Sequence, residues 1–197
     1  MRPKKHWAGA SKKTLRTSYL SLKCIEIRKV CTRMNLLRIF STNGYILVFP
    51  ILFWNILLTS KLPPAYAPKI FNNNIPLAII IGEYLFRYII FIMPLFFKLN
   101  LTRSIENKGL IVFSLGVLLY FSSWLMLIYT PDSSWSNSVF GFTSPAYTPI
   151  IWLVGLSLMV DSYYFKLAYS KWHFILPSVA FTVFHVLHTV YIYNRIY

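Results

Sequence analysis

Apolar residues run along this chain in long blocks rather than in stripes. Five blocks approach the length a helix needs to cross a hydrocarbon layer, about 20 residues at ~1.5 Å rise each. They cover 39–58, 75–97, 109–129, 149–165 and 172–193. Helices of a soluble core repeat their apolar positions every three or four residues and keep a polar face, whereas these blocks are apolar nearly all round. Nor does any stretch alternate over about ten residues, as a membrane barrel requires. Away from water, backbone groups must pair within their own segment, which leaves the helix as the viable form. The pattern therefore predicts an all-α integral membrane protein, a bundle of five transmembrane helices.

The weakest block is 149–165. Asp161 follows Pro149 by only 12 positions, so the block either uses Tyr163, Tyr164 and Phe165, sits short, or is re-entrant and leaves four spans. Proline placement is consistent with helix starts: Pro76 opens the second block, where a missing N–H costs nothing, and Pro177 lies early in the fifth. Pro50 falls inside the first. Thr148 stands where a side chain caps the fourth. Between the third and fourth blocks, polar Pro131–Ser138 passes into apolar Val139–Tyr147. That apolar stretch is predicted to lie on the membrane surface, either as a lid over a cavity or as a plain connection. The spans lack a Gly-x-x-x-Gly seam. The chain's 16 Phe, 14 Tyr and 6 Trp predict aromatic packing with room for a small apolar ligand.

Composition supports the same class. Of the 197 residues 56% are hydrophobic and 13% charged, against roughly 45–50% and 25% in soluble domains, and mean hydropathy is +0.54. A soluble globule has too little polar surface here to cover itself, and a disordered chain would be far less apolar. Two cysteines, Cys24 and Cys31, exclude a disulfide scaffold or a Cys-rich metal module.

Charge adds an orientation. The net charge is +15, and residues 1–38 hold 11 of the 20 basic residues with one acid, Glu26. No nucleic-acid motif accompanies this excess. Basic charge beside a membrane span is better explained by orientation and attraction to anionic lipids. The chain thus divides into a basic N-terminal segment, 1–38, and a bundle, 39–197. The segment has three readings: a partly disordered cytoplasmic tail, an organellar transit peptide, or an upstream start preceding a true beginning at Met34. Its apolar residues change phase between Leu20, Leu22 and Ile25, Ile27, which argues against an amphipathic helix. With the N-terminus inside, Lys98, Arg103, Lys108, Lys166 and Lys171 also lie inside, and Lys61, Lys69 and Arg195 outside. The positive-inside rule favours this arrangement with or without residues 1–33. It suits a bacterial cytoplasmic membrane, with an organellar membrane as the alternative, and puts the Asn100-Leu-Thr sequon on the cytoplasmic side, unused.

Candidate chemistry lies within the blocks. Glu83 and Arg87 stand four apart on one helix and so share a face, near the middle of their span. A single charge there costs about 2.5–3.5 kcal/mol on insertion scales, so such residues are functional candidates; the alternative is a neutral pair that only pins packing. His185 and His188, three apart, share a face of the fifth span. Two such histidines suit a metal or a proton relay; a metal needs a third ligand and Glu83 is the only deep carboxylate, so hydrogen bonding is favoured and no metal or cofactor is predicted. Glu83 and Ser122 each lie about seven residues from the outer end of their span, Ser123 six, His185 eight, His188 five and Asn55 three. This common depth predicts one outward-opening polar pocket formed by Glu83, Arg87, Asn55, Ser122, Ser123, His185 and His188. The competing expectation is that each bonds back to its own helix. Asp132 and Asp161, at span ends, are expected to be solvated.

No nucleophile elbow, phosphate loop, zinc-protease or dinucleotide motif is present, and no catalytic residue is assigned. The expected function is binding of a small or lipid-like molecule, or of a membrane partner, in the outward pocket. One alternative is a membrane-embedded enzyme acting on lipid, with His185 or Glu83 as base and Arg87 stabilising negative charge. Another is a proton-coupled transporter, disfavoured by an odd span number and the lack of an internal repeat.

Overall fold

The computed structural model describes residues 42–100 and 104–197; the readings of 1–38, of residues 39–41 and of Arg103 lie outside the described residues. Eight helices occur among them: α1 (Tyr45–Leu58), α2 (Pro68–Phe71), α3 (Leu77–Ile92), α4 (Ser104–Tyr129), α5 (Val139–Phe142), α6 (Ser144–Tyr147), α7 (Pro149–Met159) and α8 (Trp172–Ile196). Two short strands, β1 (Phe97–Leu99) and β2 (Val160–Tyr163), complete the set. Three helical stretches are long and apolar enough to cross a membrane: Leu77–Phe96, Asn107–Tyr129 and Trp172–Ile196, of 20, 23 and 25 residues. They expose apolar side chains outward, Leu77, Ile81 and Leu85 on α3 and Ile111, Leu115 and Leu118 on α4 among them. A contiguous apolar surface of that extent is compatible with a lipid environment.

The first and fourth blocks are shorter than expected. Helix from α1 into the following turn covers Tyr45–Lys61, and Ser144–Met159 forms the other short apolar segment. The helix of 149–165 does not reach Phe165: it stops at Met159, because Val160 turns extended (φ −79°, ψ 124°) and enters a sheet. β1 and β2 pair antiparallel, Phe97 opposite Tyr163, with a register irregularity between Lys98 and Leu99. The chain is thus helical with a small β ribbon rather than all-α. The second block also ends early as an α-helix. It tightens into a 3₁₀ turn at Met93–Phe96, where Pro94 has no N–H to continue the ladder. Two capping expectations change as well. Pro76 is extended and precedes the first helical residue. Thr148 is helical rather than extended and makes no side-chain cap; its hydroxyl instead donates to the Ser144 carbonyl, 2.7 Å away.

The ribbon gathers one end of the bundle. Gly44 N–H donates to the Phe97 carbonyl at 3.0 Å, and Leu99 N–H to the Thr42 carbonyl at 2.7 Å. The Phe97 ring is fully buried and meets Phe174 edge-on at 5.0 Å, so the start of α8 joins the same end. The starts of α1, α4 and α8 therefore lie with the ends of α3 and α7, and the five segments alternate in direction.

Packing differs between the helix pairs. α4 lies chiefly on α7, and α3 on α8. A Cβ on Gly116 would come 2.3 Å from Trp152 N, and one on Gly155 2.3 Å from Phe113 N. The two backbones touch, and small residues make this possible. The seam escapes a Gly-x-x-x-Gly search because its α4 glycines, Gly109 and Gly116, are seven apart and their partner, Gly155, is on another helix. Stretch 139–147 also departs from expectation: Gly141 to Ala146 are buried, and Phe142 packs with Ile75 and Ile192. Residues 141–146 thus enter the bundle, whereas Val139 and Phe140 stay exposed.

Alanine at Gly116 or Gly155 should cost about 1–3 kcal/mol by overpacking, since backbone atoms cannot rotate aside. Gly82→Ala should cost less. Its Cβ would meet only the end of the half-buried Phe184 ring, at 2.5 Å. Thermal unfolding in detergent distinguishes them; a Gly116→Ala protein with native Tm contradicts the backbone contact.

Candidate functional site

α3 carries Glu83 and Arg87 on the face turned toward α8, and α8 returns His185 and His188 from the facing side. Glu83 is 4% exposed. Its Oε1 accepts from Arg87 Nη2, and its Oε2 is bonded to His188 Nδ1. His185 Nδ1 lies 3.1 Å from Oε1, within ion-pair range but off the angle of a hydrogen bond, so this buried nitrogen has no hydrogen-bond partner among the described residues. The other nitrogen of His188, Nε2, meets the Phe71 carbonyl at 2.9 Å. One carboxylate thus connects α3, α8 and the connection through α2.

That last contact fixes a proton count. A carbonyl only accepts, so Nε2 of His188 carries hydrogen. A bare Nδ1 lone pair would repel a bare carboxylate oxygen. One proton therefore lies between Nδ1 and Oε2, on either atom, and the Glu83–His188 pair is neutral as a unit. Arg87 adds one positive charge. Its guanidinium lies over the Tyr84 and Phe181 rings, 5.5 and 5.9 Å from their centroids, a placement that favours a cation over an aromatic face.

Beside this cluster is a cavity of about 300 Å³. All five segments contribute to its wall, including Asn55 from α1, Arg87 from α3, Tyr120 from α4, Trp152 from α7 and His185 from α8. Tyr120 Oη donates to Asn55 Oδ1 at 2.7 Å. Tyr66, Pro145 and Ala146 close the end away from the ribbon. Two turn segments meet there. Tyr66 Oη donates to the Phe142 carbonyl, and Arg195 donates to the carbonyls of Asn73 and Ile70. Burial, with the Tyr197 phenol adding to it, pushes the Tyr66 pKa up, so this hydroxyl stays a donor.

The predicted site residues separate into three groups. Glu83, Arg87, His185 and His188 come together. Asn55 lines the adjoining cavity through its contact with Tyr120. The two serines do neither: Ser122 is exposed on the surface of the bundle, and Ser123 is buried but donates to the Tyr120 carbonyl of its own helix at 2.7 Å. Residues three or four apart share a helix face and adjacent ones do not, so Ser122 cannot follow Tyr120 inward. Asp132 is exposed in the turn after α4 and Asp161 in β2, away from the cavity. Sequence reasoning missed Tyr120, Trp124 and Trp152. The available signal was a phenol deep in a span, which needs a partner when buried. The Phe71 carbonyl carries no sequence signal at all.

Among the described residues no group of three His, Cys, Asp or Glu side chains has metal-site geometry. Compared with known protein families, curated proteins and solved structures, the chain matches none.

Glu83→Gln keeps the shape but removes the only acid facing three basic side chains. It should cost about 3–5 kcal/mol, the range for breaking a buried pair from one side. Arg87→Leu should cost less, because that side chain is 34% exposed and His188 still holds the carboxylate. The double variant should lose less than the two single losses combined. Detergent unfolding curves test the order; native stability in Glu83→Gln contradicts it.

Proposed function

We propose that this is a polytopic membrane protein that binds a small or lipid-like molecule in the cavity walled by Asn55, Arg87, Tyr120, Trp152 and His185. Five crossings are proposed, with the short segments Tyr45–Lys61 and Ser144–Met159 joining the three long helices. The alternating direction of the five segments supports this. The ribbon end, near Lys98, Lys108, Lys166 and Lys171, faces the cytoplasm, and the cavity lies toward the opposite side. Residues 1–38, with their 11 basic side chains, sit against anionic lipids in this arrangement.

The observation that carries the binding reading is where the polar groups point. Glu83 is absent from the cavity wall and is occupied by its basic partners. What faces the cavity is mostly apolar, with a few polar groups from different helices, the usual make-up of a ligand site. A carboxylate so occupied is a support for Arg87 and His185 rather than a base presented to a substrate, which favours binding over lipid chemistry.

Leu52 lines the cavity and is only half-buried. Native mass spectrometry of the detergent-purified protein should show a retained small molecule that is absent from Leu52→Trp at equal thermal stability. Identical spectra contradict the cavity as a binding site. For the crossings, single cysteines placed at Ser133 and Lys166 in a Cys24→Ser, Cys31→Ser background should react with an impermeant thiol reagent from opposite sides. Labelling of both from one side contradicts five crossings.

A further inference from the structure

We infer that the cavity selects an amphiphile with an anionic oxygen head group, a carboxylate or a phosphate monoester, seated against Arg87 and His185. This rests on the binding reading above and adds the chemical class of the ligand.

Glu83 and His188 share a single proton and are neutral together, by the contact of His188 Nε2 with the Phe71 carbonyl. Arg87 is therefore a positive charge without a full counter-charge, and His185 supplies no negative one. The cavity wall contains Arg87 and His185 and no Asp or Glu. Arg87 shares its one acid, Glu83, with His188, and no Asp or Glu on the cavity wall supplies a second carboxylate.

One buried donor in the cavity wall, Trp152 Nε1, has no hydrogen-bond partner among the described residues, and the Trp124 indole is directed at the Tyr120 hydroxyl. Trp152 is 2% and Trp124 7% exposed. Indole N–H donates and cannot accept. Arg87 has five N–H donors, and its bond to Glu83 takes one. A wall that holds the Arg87 guanidinium and the free Trp152 indole N–H and has no carboxylate suits a ligand head that accepts hydrogen bonds, and an anion most of all. The rest of the wall, with Ile51, Leu52 and Phe91, suits an apolar tail.

The test uses the full chain in phosphatidylcholine nanodiscs and four probes of equal tail: decanoate, decyl phosphate, decanol and decylamine. Binding is read by calorimetry and by quenching of tryptophan fluorescence. Decanoate or decyl phosphate should bind at least tenfold tighter than decanol, and decylamine should not compete. The stronger of the two anionic probes identifies the head group. Arg87→Gln should reduce the preference for anion over alcohol to within about twofold, equivalent to removing most of ~1.4 kcal/mol, and Arg87→Lys should retain it. If Arg87→Gln does not fold, the native panel and Arg87→Lys decide. Decanol or decylamine binding as tightly as both anions, with binding lost in Leu52→Trp, overturns the anion inference and leaves the cavity reading standing. Binding of no probe, or binding unchanged in Leu52→Trp, overturns both.

Discussion

A carboxylate withdrawn from water needs donors on both oxygens, and this one takes them from two helices. Glu83 Oε1 is met by Arg87 from one turn along α3, and Oε2 by His188 from α8. His188 then extends the connection to the Phe71 carbonyl. The desolvation cost of a buried charge is large and is offset only when geometry and hydrogen bonding are complete. That requirement fixes the rotation of α3 against α8 and holds the connection through α2 over them. The site is therefore a consequence of the packing, and the packing depends on the site.

The other half of the bundle is joined by different physics. α4 and α7 approach until backbone touches backbone at Gly116 and Gly155, a contact made by dispersion and small side chains rather than by charge. α7 is correspondingly short and finishes at the ribbon, where two of the carbonyls its end leaves open are met by Asn100 N–H, to Met159 at 3.3 Å, and by Tyr169 Oη, to Ser157 at 3.0 Å. One pair is held by a buried hydrogen-bonded carboxyl group and the other by close contact, and the cavity draws its wall from both. Its far end is closed by turns that α8 ties down through Arg195 and through Tyr193, whose hydroxyl donates to the Asn137 carbonyl at 2.9 Å.

The sequence made some of this legible and hid the rest for physical reasons. Glu83, Arg87, His185 and His188 stood out because ionisable residues are expensive inside apolar blocks, and their spacings of four and three fix a shared face. The three long helices followed from block length. Ser122 misled because depth along a helix says nothing about rotation around it: its depth matches that of Glu83, yet it is exposed. The ribbon was invisible, since Phe97–Leu99 and Val160–Tyr163 are too short to show a period. Tyr120 was hidden among many aromatic residues, and the Gly116–Gly155 contact depends on two helices whose register no single-chain pattern contains. Burial of 141–146 follows from Phe142 finding Ile75 and Ile192, a long-range contact that local hydropathy cannot distinguish from adsorption to a surface.

The central claim is that Glu83 and His188 act as one neutral unit with a single proton between them, anchored by the Phe71 carbonyl. Nitrogen-15 magnetic resonance of the histidine-labelled protein in lipid reads this directly. The account predicts a His188 ring whose Nε2 bears hydrogen and whose Nδ1 is strongly hydrogen-bonded to carboxyl. A His188 ring with a bare Nε2, or with an Nδ1 signal unaffected by Glu83→Gln, would contradict it.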